Sequence, residues 1–380
     1  MNLLALLLAG LAFPSPPLSA QETPPSAERS VDPELAEQGR RDYLGRQIAR
    51  TMHWSGAEWL LRESREDEEK SSLLRSELGL VAGATVCDFG CGNGFFTLPM
   101  AETVGPLGKV YAVDIQEEML TMLAERSSAA GLSNVEPVLA TVADPRLSVG
   151  SCDLIVMVDV YHEISHPVTV LRHLRAALRP GGRIVLVEFR AEDPTVPIKE
   201  VHKMSKAQQI LELAANGLSL ERAFDGLPWQ HLMAFGVDPD WSDEQSPEEH
   251  ALHAGRAVAV GLLGTLRARD ALSLPGFFAP EVLVAAGSGG ELPPDRLERD
   301  ELVRSYARAM EREGWPQVVG GEERPHEVRS ELGDSPRARK GDLLLALPGA
   351  DSTEPAWEWL LRANDAGQWR VVAERSPRRE

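Results

Sequence analysis

The sequence predicts an α/β fold: a doubly wound sheet of seven mostly parallel strands, followed by a smaller α+β region. Three observations carry this. From residue 84 to 236, short β-rich runs alternate with segments of helical spacing, the pattern of βαβ crossovers. The run CDLIVMV at 152–158 reads as apolar throughout, as a strand covered on both faces does. The first run passes into the first helix through a glycine loop, VCDFGCGNGFF at 86–96.

Taken in order, residues 1–20 combine a Leu-rich stretch with SPPLSA, although no Lys or Arg precedes the apolar run. They read as an export signal cleaved near Ala20, and predict a periplasmic or secreted protein. No other apolar run approaches bilayer length, so no membrane-spanning segment is expected after cleavage. Residues 21–40 are rich in Pro, Ser, Glu and Gln and read as a flexible linker. The main domain is expected over 41–236. It opens with a helical cap, since Ile48, Met52, Trp59 and Leu60 fall at helical spacing.

The expected strands are TVCDF, KVYAVD, VEPVLA, CDLIVMVDV and GRIVLVEF, with helices over 95–104, 117–130, 167–178 and 205–216 between and after them. Ser205 and Gln208 make an S-x-x-Q start signal for the last of these helices, and Gly217 ends it. LSLERAF and QHLMAFG have only DGLPW between them, so they are expected as an antiparallel pair at the sheet edge. Residues 237–247 read as a linker. Over 248–380 a long helix, a strand, a charged Gly/Pro-rich middle and a Trp-rich closing hairpin predict the α+β region.

Composition narrows the function. A net charge of −19 repels phosphate backbones, which argues against nucleic acid. Arg172, Arg175 and Arg179 fall at helical spacing and read as one solvated face. Cys87, Cys91 and Cys152 have no C-x-x-C spacing and are expected to be reduced.

The chemistry sits in DFGCGNG. Asp88 ends the first strand, and Gly90, Gly92 and Gly94 form the turn into the helix. Glycines let a ligand lie against bare backbone, and the amides at the helix start face it. A dinucleotide fingerprint from Gly90 requires a glycine at position 95, where Phe95 stands. Asp88, an acid before the glycines, suits an ammonium better than a diphosphate. Asp114 ends the second strand, where a carboxylate accepts from both ribose hydroxyls, and Ile115 beside it packs on a base. Asp144 follows the third strand, placed for an adenine amine. Acids also end strands for structural reasons, but three in order at one sheet edge converge on a nucleoside bearing an amino-acid tail.

At these residues the segment resembles the class I S-adenosylmethionine-dependent methyltransferases. The matching stretches are VCDFGCGNGFF, VYAVDIQEEML, CDLIVMVDVYHEISHP and LRPGGRIVLVEF. The resemblance implies S-adenosylmethionine as cofactor. Asp88, Gly90 and Gly92 would line its methionine end, Asp114 would hold the ribose, and Asp144 the adenine amine with Ala143 beside it. Asp159 would face the junction of cofactor and substrate.

Methyl transfer from a sulfonium needs collinear geometry and a dry site, and a base if the acceptor carries a proton. Tyr161, His162 and Glu163, after the fourth strand, are the candidates. His162 either acts as a base or packs under the next helix. His162, Glu163 and His166 lack the spacing of a zincin helix, so no metal is expected. Trp54 and Trp59 either wall a substrate pocket or pack in a core. The long loop RAEDPTVPIKEVHKMS at 190–205 either carries function or only joins strand to helix.

The C-terminal region weakly resembles an NTF2-like domain, of a kind that binds small ligands or forms a homodimer. The expected function is methyl transfer to a small-molecule acceptor. The alternative is a non-catalytic nucleoside-binding or interaction protein on the same scaffold. Export and a cofactor made in the cytosol sit uneasily together, so a cytoplasmic location stays open.

Overall fold

A computed structural model describes residues 39–286, 295–311, 328–329, 343–348 and 355–376. The expected export signal, nearly all of the linker that follows it and much of the charged C-terminal middle lie outside the described residues. Among the described residues, no helix is long and apolar enough to cross a membrane.

The main sheet is built from β1 Thr85–Phe89, β2 Lys109–Asp114, β3 Val135–Leu139, β4 Cys152–Val158, β5 Leu178–Arg190, β6 Leu218–Phe224 and β7 Gln230–Val237. Their order across the sheet is β3-β2-β1-β4-β5-β7-β6. β1 to β5 pair in parallel, while β7 runs antiparallel between β5 and β6. This is the mostly parallel sheet with an antiparallel last pair that the sequence predicts. One addition was not foreseen: a two-residue strand, Lys203–Met204, pairs with the end of β5. Chain order reverses between β1 and β4, and such a switch opens a crevice at the carboxyl ends of the strands.

The helices are α1 Ser71–Glu77, α2 Thr97–Val104, α3 Glu117–Ala129, α4 Pro167–Ala177, α5 Lys206–Ala214, α6 Pro247–Arg267 and α7 Arg299–Met310. Ser205 caps α5 as expected, its hydroxyl accepting from the Gln208 amide at 3.1 Å. The Gln208 side chain does not reach back to complete the box. It donates to the Leu44 carbonyl and to Glu212 instead.

The expected helical cap over 41–78 is largely replaced by other structure. Asp42–Tyr43 pairs with Arg46–Gln47 through a two-residue turn. Leu44 and Gly45 both have positive φ, at 45° and 80°, the requirement of a tight hairpin turn. A 3-10 segment, Trp54–Leu61, and a short helix, Arg65–Glu69, lead to α1.

The C-terminal sheet contains β8 Phe278–Ala286, β9 Asp295–Glu298, β10 Val328–Arg329, β11 Leu343–Pro348, β12 Pro355–Ala363 and β13 Trp369–Ser376, in the order β9-β8-β13-β12-β11-β10. β12 and β13 form the predicted hairpin across Asp365 and Gly367. The expected division at 237–247 does not separate two cores. Ile210 of α5, Leu262 of α6, Phe277, Trp359 of β12 and Val371 of β13 belong to one buried cluster with Ile155 and Leu186 of the main sheet. The opposite face of the main sheet packs Val86, Val156 and Val187 against Met100 of α2.

Candidate active site

The crevice at the carboxyl ends of β1, β2 and β4 is a cleft of about 610 Å³. Its first wall is the glycine loop. The amides of Gly90 and Cys91 both donate to the Val113 carbonyl, at 2.8 and 3.1 Å, which tucks the loop against β2. Gly90 has φ +74°, and a Cβ there would lie 2.6 Å from both Val160 methyls. A side chain at Gly92 would meet Leu60 at 2.8 Å. The bare backbone is therefore a packing requirement as well as a ligand surface.

Asp114 stands at the end of β2. One carboxylate oxygen accepts from the Gly92 amide and the other from the Gln116 amide, each at 2.9 Å. The carboxylate also lines the cleft. Burial pushes its carboxyl up, and those amides oppose the shift. Ile115 and Val142 are partly exposed beside it and bracket a slot of the kind a base occupies.

The second wall is made of side chains. Asp159 lines the cleft with φ +55°, and Gln230 donates to both of its oxygens, at 3.1 and 2.8 Å. Burial, reinforced by Glu69 and Glu188, holds its carboxyl well above the usual range. Arg65 faces the same space. Its guanidinium lies 4.2 Å from the Phe95 ring centre and pairs with the fully buried Glu69 at 2.7 Å.

Farther along, His162, Glu163 and His202 line the cleft together. His162 Nδ1 lies 2.6 Å from a carboxylate oxygen of the fully buried Glu188, and its Nε2 lies 3.0 Å from His202 Nδ1. Burial lifts the Glu163 carboxyl to about 7, with His162 opposing.

The segment before α1 crosses over this edge. Gln116 holds it from both sides, donating to the Met52 carbonyl at 2.9 Å and accepting from the Trp54 amide at 2.8 Å. Met52, Trp59 and Leu60 reach the cleft, whereas Trp54 does not line it.

Of the expected site residues, Gly90, Gly92, Asp114, Ile115, Asp159, His162 and Glu163 line the cleft. Asp88, Gly94, Ala143, Asp144 and Tyr161 do not. Asp88 is turned beneath the loop, accepting from the Thr97 hydroxyl at 2.5 Å, and burial raises its carboxyl to about 6. Gly94 packs against Leu123 and Leu98. Asp144 is drawn away by its own turn: its carboxylate accepts from the Arg146 amide at 2.8 Å and sits 3.4 Å from His173. Ala143 lies on that same turn, its amide 3.3 Å from the Thr141 hydroxyl. Tyr161 is fully buried, with the Arg46 guanidinium 5.6 Å from its ring centre.

Residues 80–242 match a family model described as a methyltransferase domain. Over these residues the chain is similar to that domain. A demethylmenaquinone methyltransferase from Lactococcus lactis subsp. lactis is 31% identical over 121 residues, which are 32% of this chain and 47% of that protein. A nocamycin O-methyltransferase from Saccharothrix syringae is 36% identical over 107 residues, 27% of this chain and 37% of that protein. This chain thus spans less than half the length of these curated relatives. A solved SAM-dependent methyltransferase from Aquifex aeolicus is 27% identical, covers 49% of this chain and 98% of its own, and superposes with a TM-score of 0.46.

Sequence reasoning missed several residues of the methyltransferase domain's cleft. His202 sits in the long loop at 190–205, whose length was the available signal. Glu188, behind His162, is an acid in the otherwise apolar run 184–189 of β5, a polar position that needs a partner. Arg65 lies in the charge-dense stretch RESREDEEK at 62–70, whose composition alone suggests a solvated helix face. Its burial follows from the two phenylalanines and Glu69 around it.

Proposed function

We propose that the chain is an S-adenosylmethionine-dependent methyltransferase acting on a small molecule. The observation that carries this is the cleft itself: a bare glycine loop, the Asp114 carboxylate and an apolar slot at Ile115 and Val142, in that order along one sheet edge. Asp114 would hold the ribose and the slot the adenine. Arg65 gives the far end a cation that suits the carboxylate of an amino-acid tail, and the Asp159 carboxyl gives an acceptor for its ammonium.

The sulfonium supplies the methyl group. This chain's own residues bind, orient and keep water out. Beyond the tail, His162, Glu163 and His202 are the polar groups in reach of an acceptor. Apolar side chains of Met52, Trp59 and Leu60 cover the opening, as an acceptor with an apolar body would require. Relatives named for demethylmenaquinone and nocamycin act on small molecules and support this choice of acceptor class.

Tryptophan fluorescence of the full chain, titrated with S-adenosylmethionine, tests the reading. Saturable binding with Asp114 required is expected. No binding at millimolar cofactor would end it. Transfer of a labelled methyl group into a fractionated metabolite extract would then identify the acceptor.

A further inference from the structure

The cluster at His162, Glu163 and His202 has more order than acceptor binding requires. His162 is almost wholly buried, and both of its ring nitrogens are committed. Nδ1 meets the Glu188 carboxylate, so that nitrogen carries the proton and Nε2 presents its lone pair. The lone pair points at the facing nitrogen of His202, 3.0 Å away, and one Glu163 oxygen lies 3.8 Å from it. Ligand atoms of all three residues lie within 4.8 Å of one another.

We propose that His162 Nε2, His202 Nδ1 and the Glu163 carboxylate form a divalent transition-metal site with open positions toward the cleft. Metal–nitrogen bonds of about 2.0–2.1 Å put neighbouring ligand atoms roughly 2.9–3.4 Å apart. The two histidine nitrogens already have that spacing, and a rotation of Glu163 would close the other two edges, one now 3.8 Å and the other within 4.8 Å. Two imidazoles with one carboxylate select a borderline ion of the zinc, iron or cobalt class over magnesium or calcium, which prefer all-oxygen shells. Glu188 completes the arrangement: a buried carboxylate on the far nitrogen fixes the tautomer and orientation of a metal-binding histidine.

The three ligands come from two separate places, the turn after β4 and the loop after β5. The cation would therefore join these two segments at one point. His166, which follows in the sequence, takes no part; its Nδ1 lies 2.9 Å from the Ser165 hydroxyl. An oxygen of the acceptor is the group the open positions would take, with its acidity raised on binding.

The full chain, loaded with Co²⁺ and freed of excess by gel filtration, is assayed for metal content and for ligand-field absorption. One cobalt per chain is expected, with a spectrum showing nitrogen and oxygen ligation that is lost on adding zinc. His202→Ala should abolish stoichiometric retention, and Glu188→Gln should weaken it roughly 10- to 100-fold. His202 is partly exposed, so its variant keeps the test open if His162→Ala does not fold. Absence of retained cobalt in the wild type, or wild-type retention in either histidine variant that folds, overturns the proposal. Cofactor titration of the same samples by fluorescence keeps this result separate from the methyltransferase reading: either can fail without the other.

Discussion

The two walls of the cleft are built by different means. The glycine-loop wall is backbone: its shape comes from positive-φ glycines and from amides bonded to Val113 and Asp114. The opposite wall is side chains, His162, Glu163 and His202, with Glu188 buried behind His162, gathered from segments up to 40 residues apart. A backbone wall is local and tolerates few substitutions. A side-chain wall depends on distant anchors, and its members can be changed one at a time.

The largest expected effect is at an anchor of the second wall. Arg46 makes a two-point pair with the fully buried Glu212, at 2.7 and 2.8 Å, and donates to the His162 carbonyl. Arg46→Met strands a buried carboxylate and should cost about 3–5 kcal/mol in denaturant unfolding. A loss under ~1 kcal/mol would show that the wall does not lean on this pair.

Gly90→Val should come next. A left-handed φ costs a branched residue about 1–3 kcal/mol, and the new side chain meets Val160. Cofactor binding by fluorescence should disappear while a folded circular dichroism spectrum remains. Wild-type affinity would mean the loop is not a ligand surface.

Asp114→Ala should weaken the cofactor by about 1–3 kcal/mol, since the ribose donors lose their acceptor. Asp144→Ala serves as the contrast. Its carboxylate serves its own turn, and its effect on affinity should stay within about 0.5 kcal/mol. Equal effects from the two variants would erase the distinction between them.

The smallest effect concerns pH. The loop carrying His202 begins at Glu192, which lies 3.0 Å from the buried His231, and His231 also meets Asp225. Burial alone would lower the His231 pKa, but Glu192 and Asp225 outweigh it and raise it. Folded pKa above unfolded means the contribution is whole below about 6.5 and lost as pH rises through the raised value. Thermal unfolding from pH 6 to 9 should show this decline in the wild type and not in His231→Gln.

The backbone wall was legible in the sequence because its signal is contiguous. Asp88, three glycines and the strand before them occupy adjacent positions, and only glycine fits such a turn. The strands were legible for the same reason, each being a short apolar run. The side-chain wall was half legible: His162 and Glu163 adjoin β4, but nothing local pairs them with Glu188 or His202. Asp144 misled because position after a strand says nothing of where a carboxylate turns, and here a Thr141 hydroxyl folds the chain back on itself. The hairpin at Leu44 and Gly45 was hidden by apolar residues whose spacing matched a helix.

The shared cluster linking Ile210, Leu262, Phe277 and Trp359 has a practical meaning. A shortened product ending near residue 240 would lay an oily surface bare on α5, where α6 and the segment at Phe277 now sit. Such a fragment should clump rather than fold cleanly, so anyone wishing to borrow this domain must carry its tail along.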